Sequence, residues 1–578
     1  MYICDYRCKS RAVFLFLFIF LLFCIARLLY IQLFRSEYLA GIARKQHNAF
    51  VELEPRRGTI FDINLKPQAV NVAAESLYAV PNAISDSQKE HIIQSLMPIL
   101  QVDRAYLKER LYRNKSFIWL ARKLPPEQAD AIRAMNIKGI DFIKESRRSY
   151  PNGYLGSHVI GFAGLDNTGL EGLELYYDAY LKGEPGWALV LRDARQKKLD
   201  LRQKMMMPRD GYDLVLTIDG VIQFFAEREL QKAVEKYKAR SASIVVMDPA
   251  TGAILALANR PTFDPNSRSS DKDALRNRSV CDLFEPGSVF KIVTLAAALE
   301  EQRVSEEDKF FCENGAYKVG PHTLHDHRPH GWLTFREVIE QSSNIGTVKV
   351  AQSLGPEVIH RYVKLFGFGA KTGIDLPGEI SGMTKEPRFW SKTTITAVPM
   401  GHEVGVTTLQ LASAVSVIAN NGVLMKPYIV AEIRDKYAQV IKEFGPVEVR
   451  RVISEETARR CRKILEGVIE RGTGKMARIK GISAGGKTGT AQKIEPGGAY
   501  SHNKFVASFI GFAPVDNPQI VIAVCLDEPR PYYFGGVVAA PVFKEVAGAA
   551  LKYLMTKQAT RQGVDQPRQV WHEAQAAY

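Results

Sequence analysis

In the stretch Phe284-Glu285-Pro286-Gly287-Ser288-Val289-Phe290-Lys291 a hydroxyl and an amine stand three residues apart, just where Pro286 and Gly287 break the chain. An apolar run, Ile292 to Leu299, follows directly, and this order predicts a helix that begins near Ser288. Residues i and i+3 share one helix face, so the side chains of Ser288 and Lys291 are expected to touch. A serine becomes a nucleophile only when something removes its proton. An amine removes it only when neutral, which needs a pKa far below the ordinary ~10.4. Burial or a second nearby cation has that effect. By itself, Ser-x-x-Lys is common and reads first as a helix cap followed by a surface lysine.

Two later stretches narrow the choice. Gln341-Ser342-Ser343-Asn344-Ile345-Gly346 lies about 55 residues further on, and Gly485-Gly486-Lys487-Thr488-Gly489-Thr490 about 145 residues beyond that. The order Ser-x-x-Lys, Ser-x-Asn, Lys-Thr-Gly marks acyl-serine enzymes of the penicillin-binding and serine β-lactamase type. On this reading Lys487, Thr488 and Thr490 offer a cation and hydroxyls to a substrate carboxylate from a strand at the edge of the site. Gly485, Gly486 and Gly489 leave room for a peptide alongside that strand. Lys487 is the second cation that would depress the pKa of Lys291. Ser342 and Asn344 would sit at a turn bridging the two lysines, Ser342 relaying a proton and Asn344 bonding a substrate amide.

Gly481-Ile482-Ser483-Ala484-Gly485-Gly486-Lys487-Thr488 also satisfies the phosphate-cradling pattern G-x-x-x-x-G-K-[ST], with Ile520 to Glu528 as a possible acidic strand end. That pattern needs a helix after it, and Glu495-Pro496-Gly497-Gly498 follows too soon for one. His322, His325, His327 and His330 crowd one loop with Asp326 among them, a spacing that permits a metal. Surface loops show the same spacing, and no step proposed for the site needs a metal or cofactor. The seven cysteines show neither a disulfide framework nor a zinc spacing. Cys281, seven positions before Ser288, reads as a packed side chain.

These groups need a scaffold, and 578 residues provide two or three domains with proper cores. The formal net charge of +15 suits anionic partners such as lipid head groups and wall polymers. The charge is spread along the chain and no nucleic-acid motif accompanies it. Ala12 to Phe34 is nearly all apolar and long enough to cross a bilayer, with Arg27 in its outer third able to snorkel. No small-x-small cleavage site follows, so the segment reads as a retained anchor. Flanking positive charge is nearly balanced and leaves the orientation open. Tyr38 to Gln46 reads as a membrane-proximal helix. From there to about residue 210, short β-like runs alternate with polar helices, without any nucleophile–base pair. Beyond Asp210-Gly211 a strand at Leu214 to Asp219, a helix at Val221 to Tyr237 and a hairpin over Ala242 to Ala258 are expected. Late strands at Phe505 to Phe512 and Gln519 to Leu526 precede a final helix at Pro541 to Leu554. Strands at both ends with helices between them indicate an α+β layer structure.

With these residues in view, the chain resembles the class B penicillin-binding proteins, monofunctional peptidoglycan transpeptidases. The likeness also takes in Arg57-Gly58-x-Ile60-x-Asp62, Arg148-x-Tyr150-Pro151 and Gly169-Leu170-Glu171-Gly172-Leu173-Glu174. Asn277-Arg278, Gly472-Thr473-Gly474 and Ala540-Pro541-Val542-Phe543 belong to it as well. It implies a cytoplasmic tail over 1–11, an anchor over 12–34 and an elongated pedestal or dimerisation-type domain over 35–210. A transpeptidase domain with an antiparallel sheet flanked by helices would span 211–555, and a loose polar tail 556–578. It implies residence in the cytoplasmic membrane with the catalytic part outside, and a division-specific rather than an elongation role. It further implies stem-peptide substrates (a D-Ala-D-Ala donor and an amine acceptor) and acylation by β-lactams. The partners it implies are a polytopic membrane glycosyltransferase and other division proteins. The backbone N–H groups of Ser288 and Thr490 would form the oxyanion hole. A β-lactamase or penicillin-sensing receptor shares the three motifs and is the competing reading. Two departures stand out: Asp62-Ile63-Asn64-Leu65 replaces the family's Asp-Arg-Asn-Gly, and Gly401-His402-Glu403 replaces its Gly-Gln-Gly.

Overall fold

The computed structural model describes residues 2–39, 48–115, 117–192, 198–267, 271–319, 322–495 and 497–575. Most of the expected membrane-proximal helix, from Ala40 to Gln46, lies outside them. The chain forms two compact units. The first holds the helix Tyr2–Phe34 and a three-stranded antiparallel sheet ordered Asn48–Leu53, Gly186–Arg192, Lys198–Met206. Within that helix the 26 residues Lys9–Phe34 are apolar enough to cross a membrane. At 1.5 Å per residue they span about 39 Å, more than the ~30 Å hydrocarbon core.

The second unit comprises residues 57–182 and 211–578, so most of the expected pedestal packs as one body with the catalytic region. A sheet crosses the expected boundary at residue 210. Val430–Arg434 pairs with Asp213–Leu216, which runs parallel to Ile60–Phe61, and this in turn pairs with Pro67–Ala79. A buried charge cluster ties the pedestal together. Glu174 accepts from Arg57 Nε and Arg148 Nε, each at 2.6 Å, while Arg57 Nη1 reaches Asp178 at 2.6 Å. Three of the pedestal stretches singled out in the sequence thus meet at one carboxylate. Tyr177 donates its hydroxyl to Asp375 at 3.0 Å, and Asp375 caps Ile429 N and Val430 N of the catalytic region.

The Asp62 departure is resolved locally. Asp62 Oδ1 accepts from Asn64 N and Lys66 N at 2.8 Å, closing the turn, and Leu65 takes the left-handed position (φ 59°) where glycine is at ease.

The catalytic region is built on a five-stranded antiparallel sheet ordered Ile254–Arg260, Ser241–Met247, Ile520–Asp527, Tyr500–Ala513, Gly485–Ile494. The central strand Ile520–Asp527 is buried on both faces because alternate residues enter different cores. Ile520, Ile522 and Val524 pack under the helices Gly220–Tyr237 and Ala540–Gln575. Val521 and Ala523 face the helices Lys291–Glu300, Thr408–Ala419 and Glu455–Glu470. The expected hairpin and late strands are present. The final helix departs from expectation: it runs on to Gln575 instead of ending near Leu554, so the expected loose tail is helical to that point. Tyr553 and Lys557 both bind Asp219 at 3.1 Å, which fixes the helix just beyond residue 554.

Candidate active site

Ser288 lies in a 3-10 turn, Gly287–Phe290, that leads into the helix Lys291–Glu300. The turn needs glycine at its start. Gly287 has φ 59°, and a Cβ there would stand 2.9 Å from Thr490 O. Lys291 through Leu299 are all buried, which makes this the central helix of the region. Sheet and helix meet at Gly485–Ile494, an edge strand that carries Lys487 and is paired on one side alone with Tyr500–Ala513.

The two sequence-expected amines meet at Ser342. Lys291 Nζ donates to Ser342 O at 2.6 Å, Asn344 Oδ1 at 2.8 Å and Ser342 Oγ at 3.3 Å. Lys487 Nζ lies 2.8 Å from the same Oγ and 3.2 Å from Thr488 O. Ser342 bridges the two amines from a left-handed backbone position (φ 60°). Both amines are fully buried. Burial brings Lys291 down to about 7, with Asp326 opposing the drop. Burial, and then the charge of Lys291, bring Lys487 well below the ordinary amine range. The like-charge effect expected on Lys291 therefore falls on Lys487, because Asp326 favours the charge at Lys291. Two cations this close are unfavourable, which disfavours charging both amines at once.

The expected Ser288–Lys291 hydrogen bond is absent among the described residues. The Lys291 amine is committed to Ser342 and Asn344, and among the described residues the half-buried Ser288 hydroxyl has no hydrogen-bond partner. Catalytic hydrogen bonds often tighten only when substrate is present. Asn344 uses its amide internally: Oδ1 accepts from Lys291, while Nδ2 donates to His325 O at 2.9 Å. Thr488 Oγ1 is 2.9 Å from Thr473 Oγ1, and Thr490 Oγ1 accepts from Gly535 N at 3.1 Å. The glycines of the edge strand act differently from expectation. A Cβ on Gly485 would lie 2.4 Å from the Phe512 ring, on Gly486 2.6 Å from Ile510 O and on Gly489 2.3 Å from Ser508 Oγ. The room they leave is filled by the protein's own interior rather than by a peptide. A strand, not a helix, follows this stretch, so the phosphate-cradle reading fails.

Several groups at the site were not read as functional from the sequence. Glu285, three residues before Ser288, accepts from Glu403 N at 2.8 Å and from the Tyr500 hydroxyl at 3.1 Å, and lies 2.8 Å from His402 Nδ1. The second departure from the family pattern thus grips the nucleophile loop. A cavity of about 350 Å³ lies behind that loop, lined among others by Asp282, Phe284, Glu285, Met383, Lys493 and Cys525. Beside Thr490, the rings of Phe505 and Tyr533 stack at 4.0 Å, Tyr533 meets Phe534 at 4.5 Å, and Phe534 meets His327 at 4.9 Å. No three metal-ligating side chains cluster among the described residues.

Residues 242–548 match the model of the Penicillin binding protein transpeptidase domain, and residues 52–216 that of the Penicillin-binding Protein dimerisation domain. Stage V sporulation protein D of Bacillus subtilis is 38% identical over 569 residues, covering 96% of this chain and 88% of that protein. Peptidoglycan D,D-transpeptidase FtsI of Escherichia coli K12 is 32% identical over 540 residues, covering 92% and 89%. Among solved structures, penicillin binding protein 3 of Mycobacterium tuberculosis in complex with aztreonam superposes with a TM-score of 0.69 at 30% identity. It covers 88% of this chain and 97% of its own.

Proposed function

Because the chain belongs to the class B penicillin-binding proteins, we propose that it is a peptidoglycan D,D-transpeptidase. It cross-links stem peptides through an acyl-Ser288 intermediate, and β-lactams acylate the same serine. The observation that carries this reading is the pair of buried amines, Lys291 and Lys487, sharing the Ser342 hydroxyl, with Lys291 at the start of the helix into which the Ser288 turn leads.

The donor's terminal carboxylate approaches Lys487, Thr488 and Thr490. Its charge draws the pair's proton to Lys487 through Ser342, and Lys291 becomes the free base. Ser288 Oγ attacks the carbonyl of the D-Ala-D-Ala bond as its proton passes to Lys291. The backbone N–H groups of Ser288 and Thr490 hold the oxyanion, each such donor stabilising it by about 2.7–4 kcal/mol. The C–N bond then breaks, and the departing D-Ala amine takes a proton delivered through Ser342. An amine from a neighbouring stem peptide attacks the ester, gives its proton to Lys291, and Ser288 regains its hydrogen as the cross-link forms. Gly486 and Gly489 serve by letting the strand lie close against Ile510 and Ser508, which sets Lys487 and Thr490 in place.

The apolar helix anchors the protein once in the cytoplasmic membrane, with the catalytic region on the outer side. A polytopic membrane glycosyltransferase supplies the glycan strands, and the enzyme works at the septum with other division proteins. The similarity to FtsI supports the septal role. The test is muropeptide analysis after incubating the purified full-length protein with nascent peptidoglycan and a partner polymerase. Dimeric muropeptides that vanish in Ser288→Ala support transpeptidation; D-Ala release without dimers indicates a carboxypeptidase instead. A fluorescent fusion spread along the side wall, rather than gathered at mid-cell, would move the role to elongation.

A further inference from the structure

The loop rich in histidine carries Asp326, and among the described residues every hydrogen bond at its carboxylate ends on the segment around Ser342. Asp326 Oδ1 accepts from Asn344 N at 2.5 Å and Ile345 N at 3.0 Å, and Oδ2 accepts from Ser343 Oγ at 2.6 Å. The carboxylate therefore caps the helix Asn344–Leu354, where an anion is favoured by the exposed N–H groups and the helix dipole. The adjacent His325 carbonyl takes Asn344 Nδ2, so the amide must present Oδ1 to Lys291. From this turn Ser342 reaches both amines.

The same carboxylate acts on the lysine pair. Among the described residues, the groups that raise Lys291 electrostatically are Asp326 and the Cys312 thiol, while the charge of Lys291 in turn lowers Lys487. Burial pushes the Cys312 thiol up and keeps it neutral. Asp326 is thus the negative charge that favours a proton on Lys291. We propose that Asp326 is a positioning residue for acyl transfer, holding the Ser342–Asn344 turn in shape and, by its charge, keeping one proton on the Lys291–Lys487 pair. The proposal rests on the acyl-Ser288 reading above.

Asp326→Asn separates the two roles. Its Oδ1 can still cap Asn344 and Ile345, and Ser343 Oγ can turn to accept from the new amide, but the charge is gone. The measurement is the second-order acylation rate by a fluorescent penicillin, from pH 5 to pH 9, on the full-length protein. Wild type, Asp326→Asn, Asp326→Glu and Ser288→Ala are compared. Without the charge a proton on Lys291 becomes less favourable, so the falling limb of the profile moves to lower pH by about one unit. The ratio of the rate at pH 6 to that at pH 8 then rises about fivefold. Asp326→Glu keeps the charge but disturbs the cap, so its rate falls with the profile unmoved. A profile that stays in place in Asp326→Asn, its rate lowered equally at every pH, reduces Asp326 to a helix cap and overturns the proposal. If Asp326→Asn does not fold, a displaced profile in Asp326→Glu overturns it. Wild type that takes no label, or Ser288→Ala labelled like wild type, rejects the acyl-Ser288 reading itself and this inference with it.

Discussion

Replacing Glu285 by alanine removes the carboxylate that ties the nucleophile loop to two other segments. Glu403 N donates to it at 2.8 Å, the Tyr500 hydroxyl at 3.1 Å, and His402 Nδ1 lies at 2.8 Å. Hydrogen bonds to a charged group contribute about 1.5–3 kcal/mol each. The Tyr500 bond is partly open to water and the three are not additive, so a total near 3 kcal/mol is expected. The cavity of about 350 Å³ is lined by Asp282 to Glu285, which gives that stretch, just before Ser288, space to move once the ties are cut. A shift of about 1 Å at the attacking atom costs on the order of 100-fold in rate. Acylation by a fluorescent penicillin should therefore fall about 100-fold in Glu285→Ala with the far-ultraviolet circular dichroism unchanged. Tyr500→Phe, which cuts one tie, should lose about fivefold, or ~1 kcal/mol. Acylation of Glu285→Ala within threefold of wild type would refute the reasoning, since the loop would then hold its shape without Glu285.

Glu174→Ala leaves the buried Arg57 and Arg148 guanidiniums short of their shared partner. Breaking such a pair costs about 3–5 kcal/mol, to be read as a lowered denaturation midpoint in urea. His158 is buried against Ala274 O, and burial pushes it down to about 4 from its ordinary 6.5. The unfolded chain binds that proton first, so stability is full above about pH 6.5 and falls by up to about 3 kcal/mol as pH drops toward 4. His158→Gln should flatten that part of the melting-temperature profile. Leu65→Gly should stabilise the pedestal by up to about 1 kcal/mol, because glycine occupies the left-handed region without the side-chain clash; thermal unfolding checks it.

The three catalytic stretches were legible because each carries its chemistry in residue type and short spacing, and their order along the chain is specific. The strands Ser241–Met247, Ile254–Arg260 and Ile520–Asp527 were legible as apolar β-rich runs bounded by turns. What escaped depends on contacts between distant residues. That Glu174 gathers Arg57 and Arg148, or that Glu285 meets Tyr500 across 215 positions, is a property of the folded chain that no local pattern carries. The edge-strand glycines were read as room for a ligand because sequence does not show that Phe512, Ile510 and Ser508 fill that space. The lowering of Lys291 and Lys487 depends on burial, and the opposing pull on Lys291 on Asp326, which the sequence offered only as a neighbour of histidines. The polar composition after residue 555 read as a tail, yet Asp219 anchors Lys557 and the helix continues.

The most direct test is to treat the full-length protein with penicillin, digest it, and locate the adduct by mass spectrometry. A penicilloyl group on the peptide carrying Ser288, absent from Ser288→Ala and greatly slowed in Lys291→Ala, is the predicted result. An adduct at another residue, or undiminished labelling of Ser288→Ala, would contradict the account.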